Sequence, residues 1–330
     1  MSLKEKIIVI GAGAWGTTIA NLIARNSYPV ILVANDSEVI TEINTHNTNQ
    51  KFLPKIKLDK KIIAQENFDS EIQEVNLIFI VIPSANSNEL FQKISQLKIN
   101  KNCGFVICSK GLEQNSLMLL SDAFEKITKI KNYAVLSGPN FAIEVANQFP
   151  TITSVAAKNR KLATKVIKVL NNDYFYAQYF KDPRNAEICG IVKNIIAIGC
   201  GIVDGLDLGA NVKAALITKG ITEIQLLCKK LKASDNLASA AGFGDIFLTC
   251  SSTKSRNNSL GRDIANGKSY QKITAQTNTT YEGAVSAQSV VALAKKLNLQ
   301  LSLCETINEI IVKGLSSKEI KEKIIKAILQ

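Results

Sequence analysis

The 330-residue chain contains a single histidine, His46, and none of its seven cysteines forms a Cys-x-x-Cys pair. One histidine cannot build a histidine-based metal cage, and we expect no metal site. Six prolines and 18 glycines are too few for a disordered, collagen-like or low-complexity chain. Most of the cysteines lie in apolar runs, where a thiol packs as a small hydrophobe. We therefore expect reduced, buried thiols and a cytoplasmic protein.

Arginine is also scarce. The formal net charge is +12, yet the arginines are only Arg25, Arg160, Arg184, Arg256 and Arg262. Proteins that bind DNA or RNA depend on the planar arginine fork, and no basic tail or patch stands out here. We interpret the excess of lysine as a solvated surface, and we expect no nucleic-acid partner.

Long apolar runs are rare as well. Residues 7–24 carry no charge, but Gly11, Gly13, Gly16 and Asn21 interrupt them. The apolar part before the glycines is too short for a signal peptide, and no other stretch comes close to the length of a membrane span. The sequence therefore predicts no stable membrane insertion.

The chain length suggests about two domains. In the first half, short β-branched runs alternate with helical patterns, which is typical of a parallel sheet built from βαβ units. The predicted strands are Lys6–Ile10, Val30–Ala34, Ile62–Ala64, Leu77–Ile82, Gly104–Cys108, Tyr133–Leu136 and Thr151–Ala156. From about residue 188 only helical spacing remains. We expect an α/β domain over residues 1–188 and an all-helical domain over residues 189–330.

The first predicted strand ends in the pattern Gly11-x-Gly13-x-x-Gly16 and runs into a helix. Glycines at these three positions allow a tight turn, close approach of a pyrophosphate and close packing of the helix on the sheet. Phosphates would then sit at the helix N-terminus, where free N–H groups favour an anion. A second predicted strand ends near Asn35-Asp36, about 20 residues on, as a dinucleotide site requires.

Small, polar and cationic residues follow three later strands, at the edge where open α/β sheets bind ligands. They are Pro83-Ser84, Ser109-Lys110-Gly111 and Ser137-Gly138-Pro139-Asn140. Lys110 faces the cofactor or an anionic substrate in this interpretation; a solvated loop lysine is an equally good one from its position alone.

In the helical half, Lys193 lies in an otherwise apolar stretch, which is costly for an ammonium unless it is paired or functional. Asp245 ends a glycine-rich turn and could orient such a lysine. Ser255, Arg256 and Asn257 open a predicted helix and offer a phosphate cradle. A serine N-cap on a surface helix is the simpler interpretation of that triplet.

Together these segments resemble bacterial-type NAD(P)-dependent glycerol-3-phosphate dehydrogenase over nearly the whole chain. Each motif is unspecific by itself, and their joint order and spacing carries the resemblance. The motifs are Gly11-x-Gly13-x-Trp15-Gly16, Pro83-Ser84, Ser109-Lys110-Gly111, Ser137-Gly138-Pro139, Val192-Lys193-Asn194, Gly209-x-Asn211-x-x-Ala214-Ala215-Leu216, Gly242-x-Gly244-Asp245, Ser255-Arg256-Asn257 and Glu282-Gly283.

The resemblance implies a Rossmann-type dinucleotide-binding domain, a helical domain for substrate binding and dimerisation, and a homodimer. It implies reversible reduction of dihydroxyacetone phosphate to sn-glycerol 3-phosphate with NADH or NADPH, for glycerophospholipid synthesis. By the resemblance, Lys193 is the proton donor and acceptor. The substrate residues it implies are Lys110, Gly138, Asn140, Lys193, Asp245, Ser255, Arg256 and Asn257. The cofactor residues, with those of the glycine motif, are Gly11, Gly13, Ala14, Trp15, Gly16, Asn35, Lys110, Ala142, Arg256, Thr280 and Glu282.

Two positions depart from the family pattern. The family commonly has Ser or Thr where this chain has Asn140, and Arg where it has Asn35 followed by Asp36. An acidic group at the end of the second strand suits the free 2′-hydroxyl of NAD, so we expect NADH to serve at least as well as NADPH. Alternatively, Asp36 caps the following turn and faces water.

Two other functions fit the same motifs. One is another two-domain dehydrogenase acting on a hydroxy acid or sugar acid with a lysine acid/base. The other is a non-catalytic protein that senses nucleotides or binds nucleic acid with a dinucleotide fold. The Ser255-Arg256-Asn257 triplet favours a phosphorylated substrate over the first, and the presence of Lys193, Asp245 and Arg256 together argues against the second.

Overall fold

A computed structural model describes residues 5–277 and 281–329. The chain forms two compact units. The first runs to Ser109 and resumes over Leu120–Pro183, and the second comprises Lys110–Leu119 and the chain from Arg184 onward. The division expected from the sequence, between residues 188 and 189, falls inside a helix that begins at Pro183.

The first unit is built on one eight-stranded sheet with the order β3-β2-β1-β4-β5-β6-β7-β8. Every residue of β1, β2, β4 and β5 is buried, and because successive side chains point to opposite faces, both faces of these strands are covered. The strands are β1 Ile7–Ile10, β2 Val30–Val33, β3 Ile62–Gln65, β4 Leu77–Ile80, β5 Gly104–Ile107, β6 Tyr133–Ser137, β7 Thr151–Ala156 and β8 Phe175–Phe180. The helices of this unit are α1 Ala14–Arg25, α2 Ser37–His46, α3 Ser87–Gln96, α4 Leu120–Thr128, α5 Ala142–Ala146 and α6 Arg160–Leu170.

The sequence predicted seven of these strands with bounds within two residues, and the predicted fold class is confirmed. It missed β8, in which buried Phe175 and Ala177 alternate with exposed Tyr176 and Gln178. It also predicted a parallel sheet, whereas β6 and β7 pair antiparallel with Ser137 opposite Ser154. All other neighbouring strands are parallel.

The second unit is helical, and its described residues contain no strand beyond an isolated bridge between Leu112 and Leu119. Its helices are α7 Pro183–Gly205, α8 Ala210–Lys230, α9 Asp245–Ser251, α10 Arg256–Ala265, α11 Tyr270–Thr277, α12 Glu282–Leu297, α13 Ser302–Lys313 and α14 Ser317–Leu329. The sequence analysis missed α9 and α11, the two shortest. Residues 185–203 of α7 are buried all round, so this helix is the centre of the unit.

Helices α7 and α10 cross with their backbones in contact. A Cβ at Gly201 would overlap the Asn258 carbonyl oxygen, and a Cβ at Gly261 would overlap the Ile198 carbonyl oxygen. Glycine at both positions is therefore a packing requirement, and it holds the start of α10 close to the Lys193 segment of α7.

By length and composition, α7 could also cross a membrane, which corrects the expectation that no other stretch comes close. All of its most apolar 18-residue window is buried inside the fold. A helix that is apolar all round is what the centre of a helical unit requires, so this pattern is weak evidence for a membrane span.

The start of α13 depends on a buried carboxylate from α8. Leu301 precedes the helix and supplies no side-chain cap. Glu223 instead accepts hydrogen bonds from the backbone N–H groups of Leu303 at 2.7 Å and Cys304 at 3.0 Å. Because these N–H groups are buried and lack a partner within their own helix, Glu223 ties α8 to α13.

We predict that Glu223→Ala lowers the free energy of unfolding by about 1–3 kcal/mol, because two buried donors lose their acceptor. Chemical denaturation monitored by circular dichroism measures the change. Glu322→Ala, which removes an exposed carboxylate from α14, is the control and should leave stability unchanged. Equal stability of the two variants would show that Glu223 does not hold α13.

Candidate active site

The glycine motif of the first unit forms an open cradle between β1 and α1. A Cβ at Gly11 would overlap the Val81 carbonyl oxygen, and a Cβ at Gly16 would overlap the Gly11 carbonyl oxygen. Gly13, in contrast, has nothing within 4 Å of its Cβ position, and as the residue before α1 it supplies no side-chain cap. Ala14 and Trp15, in the first turn, are half-buried. Uncapped N–H groups beside open space fit the pyrophosphate of a dinucleotide.

Ala142 lies against this first turn of α1. The hydroxyl of Thr18 donates to the carbonyl oxygens of Ala14, at 2.8 Å, and of Ala142, at 3.3 Å. The structure thus brings the predicted cofactor residues Gly11, Gly13, Ala14, Trp15, Gly16 and Ala142 together at one edge of the sheet.

Asn35 is exposed just after β2, as a contact to the adenosine ribose requires. The Asp36 carboxylate, however, caps α2 by accepting from the N–H groups of Glu38 and Val39, and it pairs with Lys51 at 2.7 Å. The hydrogen bond from Lys51 lowers the pKa of the Asp36 carboxyl. Of the two interpretations of Asp36, the capping role is the one observed.

In the second unit, one buried carboxylate binds two lysines. Asp245 Oδ1 lies 2.5 Å from Lys193 Nζ, and Asp245 Oδ2 lies 2.8 Å from Lys110 Nζ. The Asp245 and Lys193 side chains are 2% and 7% exposed, whereas that of Lys110 is 23% exposed. The solvated-lysine interpretation of Lys110 is therefore wrong.

The two lysines differ in how easily they lose a proton. For Lys193, burial is the largest effect and lowers the pKa; the nearby Lys110 ammonium lowers it further, and Asp245 offsets only part of this, leaving a pKa of about 8. Burial also disfavours the charged form of Lys110, but Asp245 and Glu282 outweigh it and raise that pKa. Burial would raise the pKa of Asp245, but the two ammonium groups lower it. Lys193 is thus the group of this cluster that can exchange a proton near neutral pH.

Thr249 completes the surroundings of Lys193, and the sequence analysis missed it. Its hydroxyl accepts from Lys193 Nζ at 2.7 Å and donates to the backbone carbonyl of Asp245 at 2.7 Å. Asp245 and Thr249 are four residues apart on α9, so they share a helix face. The available signal was this spacing, which becomes visible only once residues 245–251 are recognised as a helix.

Lys110 reaches Asp245 because Lys110–Leu119 belongs to the second unit. Leu112 and Leu119 are buried in the apolar core of that unit. Glu113 closes the loop between them by accepting from the N–H groups of Asn115 and Ser116.

The predicted phosphate residues lie at the start of α10. Ser255 is the N-cap and accepts from the Asn258 N–H, as in the simpler interpretation of this triplet. Asn257 Oδ1 accepts from the Gly283 N–H at 3.1 Å. Arg256 is exposed and makes no ion pair with the part of the chain that the structure describes. An unpaired guanidinium at a helix N-terminus is suited to an anion.

Glu282 opens α12 and is exposed, and its carboxylate accepts from Asn194 Nδ2 at 3.4 Å. With the bond between Asn257 and Gly283, this contact joins the starts of α10 and α12 to α7. Thr280, the remaining predicted cofactor residue, lies outside the described residues. Gly138 and Asn140 follow β6 in the first unit, where Asn140 Nδ2 donates to Thr153.

The chain is similar to known proteins over nearly its whole length. Residues 6–163 match the model of the NAD-dependent glycerol-3-phosphate dehydrogenase N-terminus, and residues 182–322 match that of its C-terminus. A glycerol-3-phosphate dehydrogenase [NAD(P)+] of Parvibaculum lavamentivorans is 36% identical over 308 residues, which cover 93% of this chain and 92% of that protein.

Solved structures show the same relationship. The crystal structure of glycerol-3-phosphate dehydrogenase from Coxiella burnetii has a TM-score of 0.92 at 31% identity, covering 98% of this chain and 99% of that one. A D-mandelate dehydrogenase in complex with NADH reaches a TM-score of 0.64 at 16% identity over 94% of this chain and 98% of that one, which shows a shared fold only. The chain therefore belongs to the NAD-dependent glycerol-3-phosphate dehydrogenase family.

Proposed function

We propose that this chain catalyses the reversible, NAD(P)H-dependent reduction of dihydroxyacetone phosphate to sn-glycerol 3-phosphate. The observation that carries the proposal is the buried Lys193–Asp245–Lys110 cluster in a chain of this family. Two ammonium groups share one carboxylate, so the cluster has a net positive charge and attracts an anionic substrate.

Lys193 is the general acid and base. Reduction of a ketone places negative charge on its oxygen, and a neighbouring ammonium stabilises that charge and then donates a proton. Asp245 and Thr249 each bind Lys193 Nζ and hold it in one position. Lys110 keeps its proton and serves as the second, permanent cation.

The phosphate of the substrate is bound at the start of α10. Arg256 offers a free planar fork, the Ser255 hydroxyl can donate, and Asn257 Nδ2 is free to donate while Oδ1 is held by Gly283. Gly138 and Asn140 contribute the remaining substrate contacts.

A bound nicotinamide dinucleotide supplies the hydride. The N–H groups of Ala14, Trp15 and Gly16 and the space beside Gly13 would hold its pyrophosphate, and Asn35 would contact the adenosine ribose. Lys110, Ala142, Arg256, Thr280 and Glu282 are the other proposed cofactor contacts. In this assignment residues 1–188 bind mainly the dinucleotide, and residues 189–330 bind mainly the substrate and dimerise.

We further propose that the enzyme is a cytoplasmic homodimer that supplies glycerophospholipid synthesis. The seven cysteines are buried free thiols, which supports a reducing compartment. Light scattering after size-exclusion chromatography measures the oligomeric state.

The function is tested by following oxidation of NADH and NADPH with dihydroxyacetone phosphate, unphosphorylated dihydroxyacetone and a 2-keto acid as separate substrates. We expect rapid turnover with dihydroxyacetone phosphate alone. Preferred turnover of the keto acid would assign the chain to the hydroxy-acid dehydrogenases instead.

The pKa of Lys193 predicts opposite pH dependences for the two directions. Ketone reduction needs the ammonium, so its kcat/KM should fall as the pH rises through about 8, and alcohol oxidation needs the amine, so its kcat/KM should rise there. Lys193→Met should lower kcat roughly 10²-fold or more and abolish the pH dependence of kcat/KM near 8 in both directions. Lys230→Met, which removes an exposed lysine from α8, is the control. Near-normal turnover by Lys193→Met would exclude this lysine as the acid.

Phosphate binding by Arg256 predicts that Arg256→Lys raises KM for dihydroxyacetone phosphate about tenfold or more, because charge without the fork cannot form two parallel hydrogen bonds. Arg262→Lys, in the same helix, should leave KM unchanged. Steady-state kinetics at fixed NADH measures both. If both substitutions change KM by the same factor, Arg256 does not bind the phosphate.

Cofactor choice depends on Asn35, Asp36 and Lys51. We predict that NADH serves at least as well as NADPH, because Asn35 is neutral, and that Asn35→Arg shifts preference toward NADPH. Lys51→Met should shift it toward NADH, since an unpaired Asp36 repels the 2′-phosphate. The control is Lys60→Met, an exposed lysine of the same loop. A tenfold or larger preference of the wild type for NADPH, about 1.4 kcal/mol, would contradict the prediction.

A further inference from the structure

Thr153 contacts the loop after β6 from the neighbouring strand. The antiparallel pairing of β6 with β7 sets Ser137 opposite Ser154 and so brings Thr153 beside the residues that follow Ser137. Thr153 is fully buried. A Cβ at Gly138 would lie 2.8 Å from Thr153 Oγ1 and 2.9 Å from Thr153 Cα, so the loop backbone packs directly on this threonine.

The hydrogen bonds of Thr153 fix the direction of the Asn140 amide. Thr153 Oγ1 lies 3.1 Å from the Ser137 carbonyl oxygen, which can only accept, and the single hydroxyl proton is therefore donated there. The Thr153 oxygen is left as an acceptor for Asn140 Nδ2 at 3.2 Å. With its NH₂ group facing Thr153, the amide points Oδ1 away from it. This oxygen accepts no hydrogen bond within residues 5–277 and 281–329.

We propose that Thr153 is a positioning residue that orients Asn140 so that Oδ1 accepts a hydrogen bond from the free hydroxyl of the substrate. The inference rests on the proposed function, since it assigns Asn140 a specific task in that substrate site. A serine or threonine hydroxyl at position 140 could donate or accept, whereas this amide presents an acceptor. The enzyme therefore selects ketone phosphates that carry a hydroxyl donor.

The selectivity is measured with two substrates that differ in one group. Dihydroxyacetone phosphate carries a hydroxymethyl group on its ketone carbon, and acetol phosphate has the same ketone and phosphate with a methyl group in place of that hydroxymethyl group. Thr153→Val removes the hydroxyl of Thr153 without changing the side-chain shape. We expect it to raise KM for dihydroxyacetone phosphate about three- to tenfold and to reduce its preference over acetol phosphate by a similar factor.

Three further variants separate positioning from a structural effect. Thr153→Ser keeps the hydroxyl and should restore wild-type selectivity. Thr151→Val removes a hydroxyl from the same strand that donates to the Phe149 carbonyl, and it should leave selectivity unchanged. In an Asn140→Ala background, Thr153→Val should cause no further loss, because it acts through Asn140. Should valine not be accommodated beside Gly138, Thr153→Ala gives the same readout.

Unchanged selectivity in Thr153→Val overturns the proposal, as does an equal loss of selectivity in the presence and absence of the Asn140 side chain. Binding of NADH, measured by quenching of Trp15 fluorescence, should be the same in all variants. If the wild type reduces neither ketone, the proposed function itself fails and this inference with it, an outcome distinct from active variants that keep wild-type selectivity.

Discussion

The lysine cluster of the second unit is organised around the buried carboxylate of Asp245. An isolated carboxylate at the position of Asp245 would be strongly destabilising, and two lysines compensate it. Because one carboxylate cannot fully stabilise two ammonium groups, the more buried lysine has the lowered pKa. The same arrangement thus explains why Asp245 stays ionised, why Lys110 stays charged and why Lys193 can exchange a proton.

Much of the fold serves to bring these three residues together. Lys193 lies on the fully buried α7, Asp245 begins α9, and Lys110 arrives on a loop that two leucines anchor in the helical core. The close crossing at Gly201 and Gly261 adds Arg256 and its neighbours at the start of α10. Glycines that carry no chemistry are therefore as necessary to this region as the lysines.

Local pattern was sufficient to predict seven of the eight strands, the glycine turn after β1 and the positions of Lys193, Asp245 and Arg256. It failed where an interaction partner is distant in the sequence and where a strand alternates buried and exposed residues. The strand β8 alternates buried and exposed residues at an edge of the sheet, so it lacks the continuous apolar run that marked β1 or β4. Pairing of Lys110 with Asp245 spans 135 residues, and no local signal distinguishes it from a solvated lysine. Asp36 was ambiguous because its cap and its ion pair with Lys51 both depend on geometry.

The departure at position 140 shows how one antiparallel strand pair fixes the orientation of a side chain. Because β7 runs antiparallel to β6, the residues that follow β6 lie beside Thr153, inside strand β7. Here Thr153 contacts Ser137, Gly138 and Asn140 at once. In the proposed role of Asn140, a neutral amide held in one orientation discriminates between ligands in a way that charge cannot. Leaving its oxygen unpaired beside a methyl group costs more than a hydrogen bond to a hydroxyl gains.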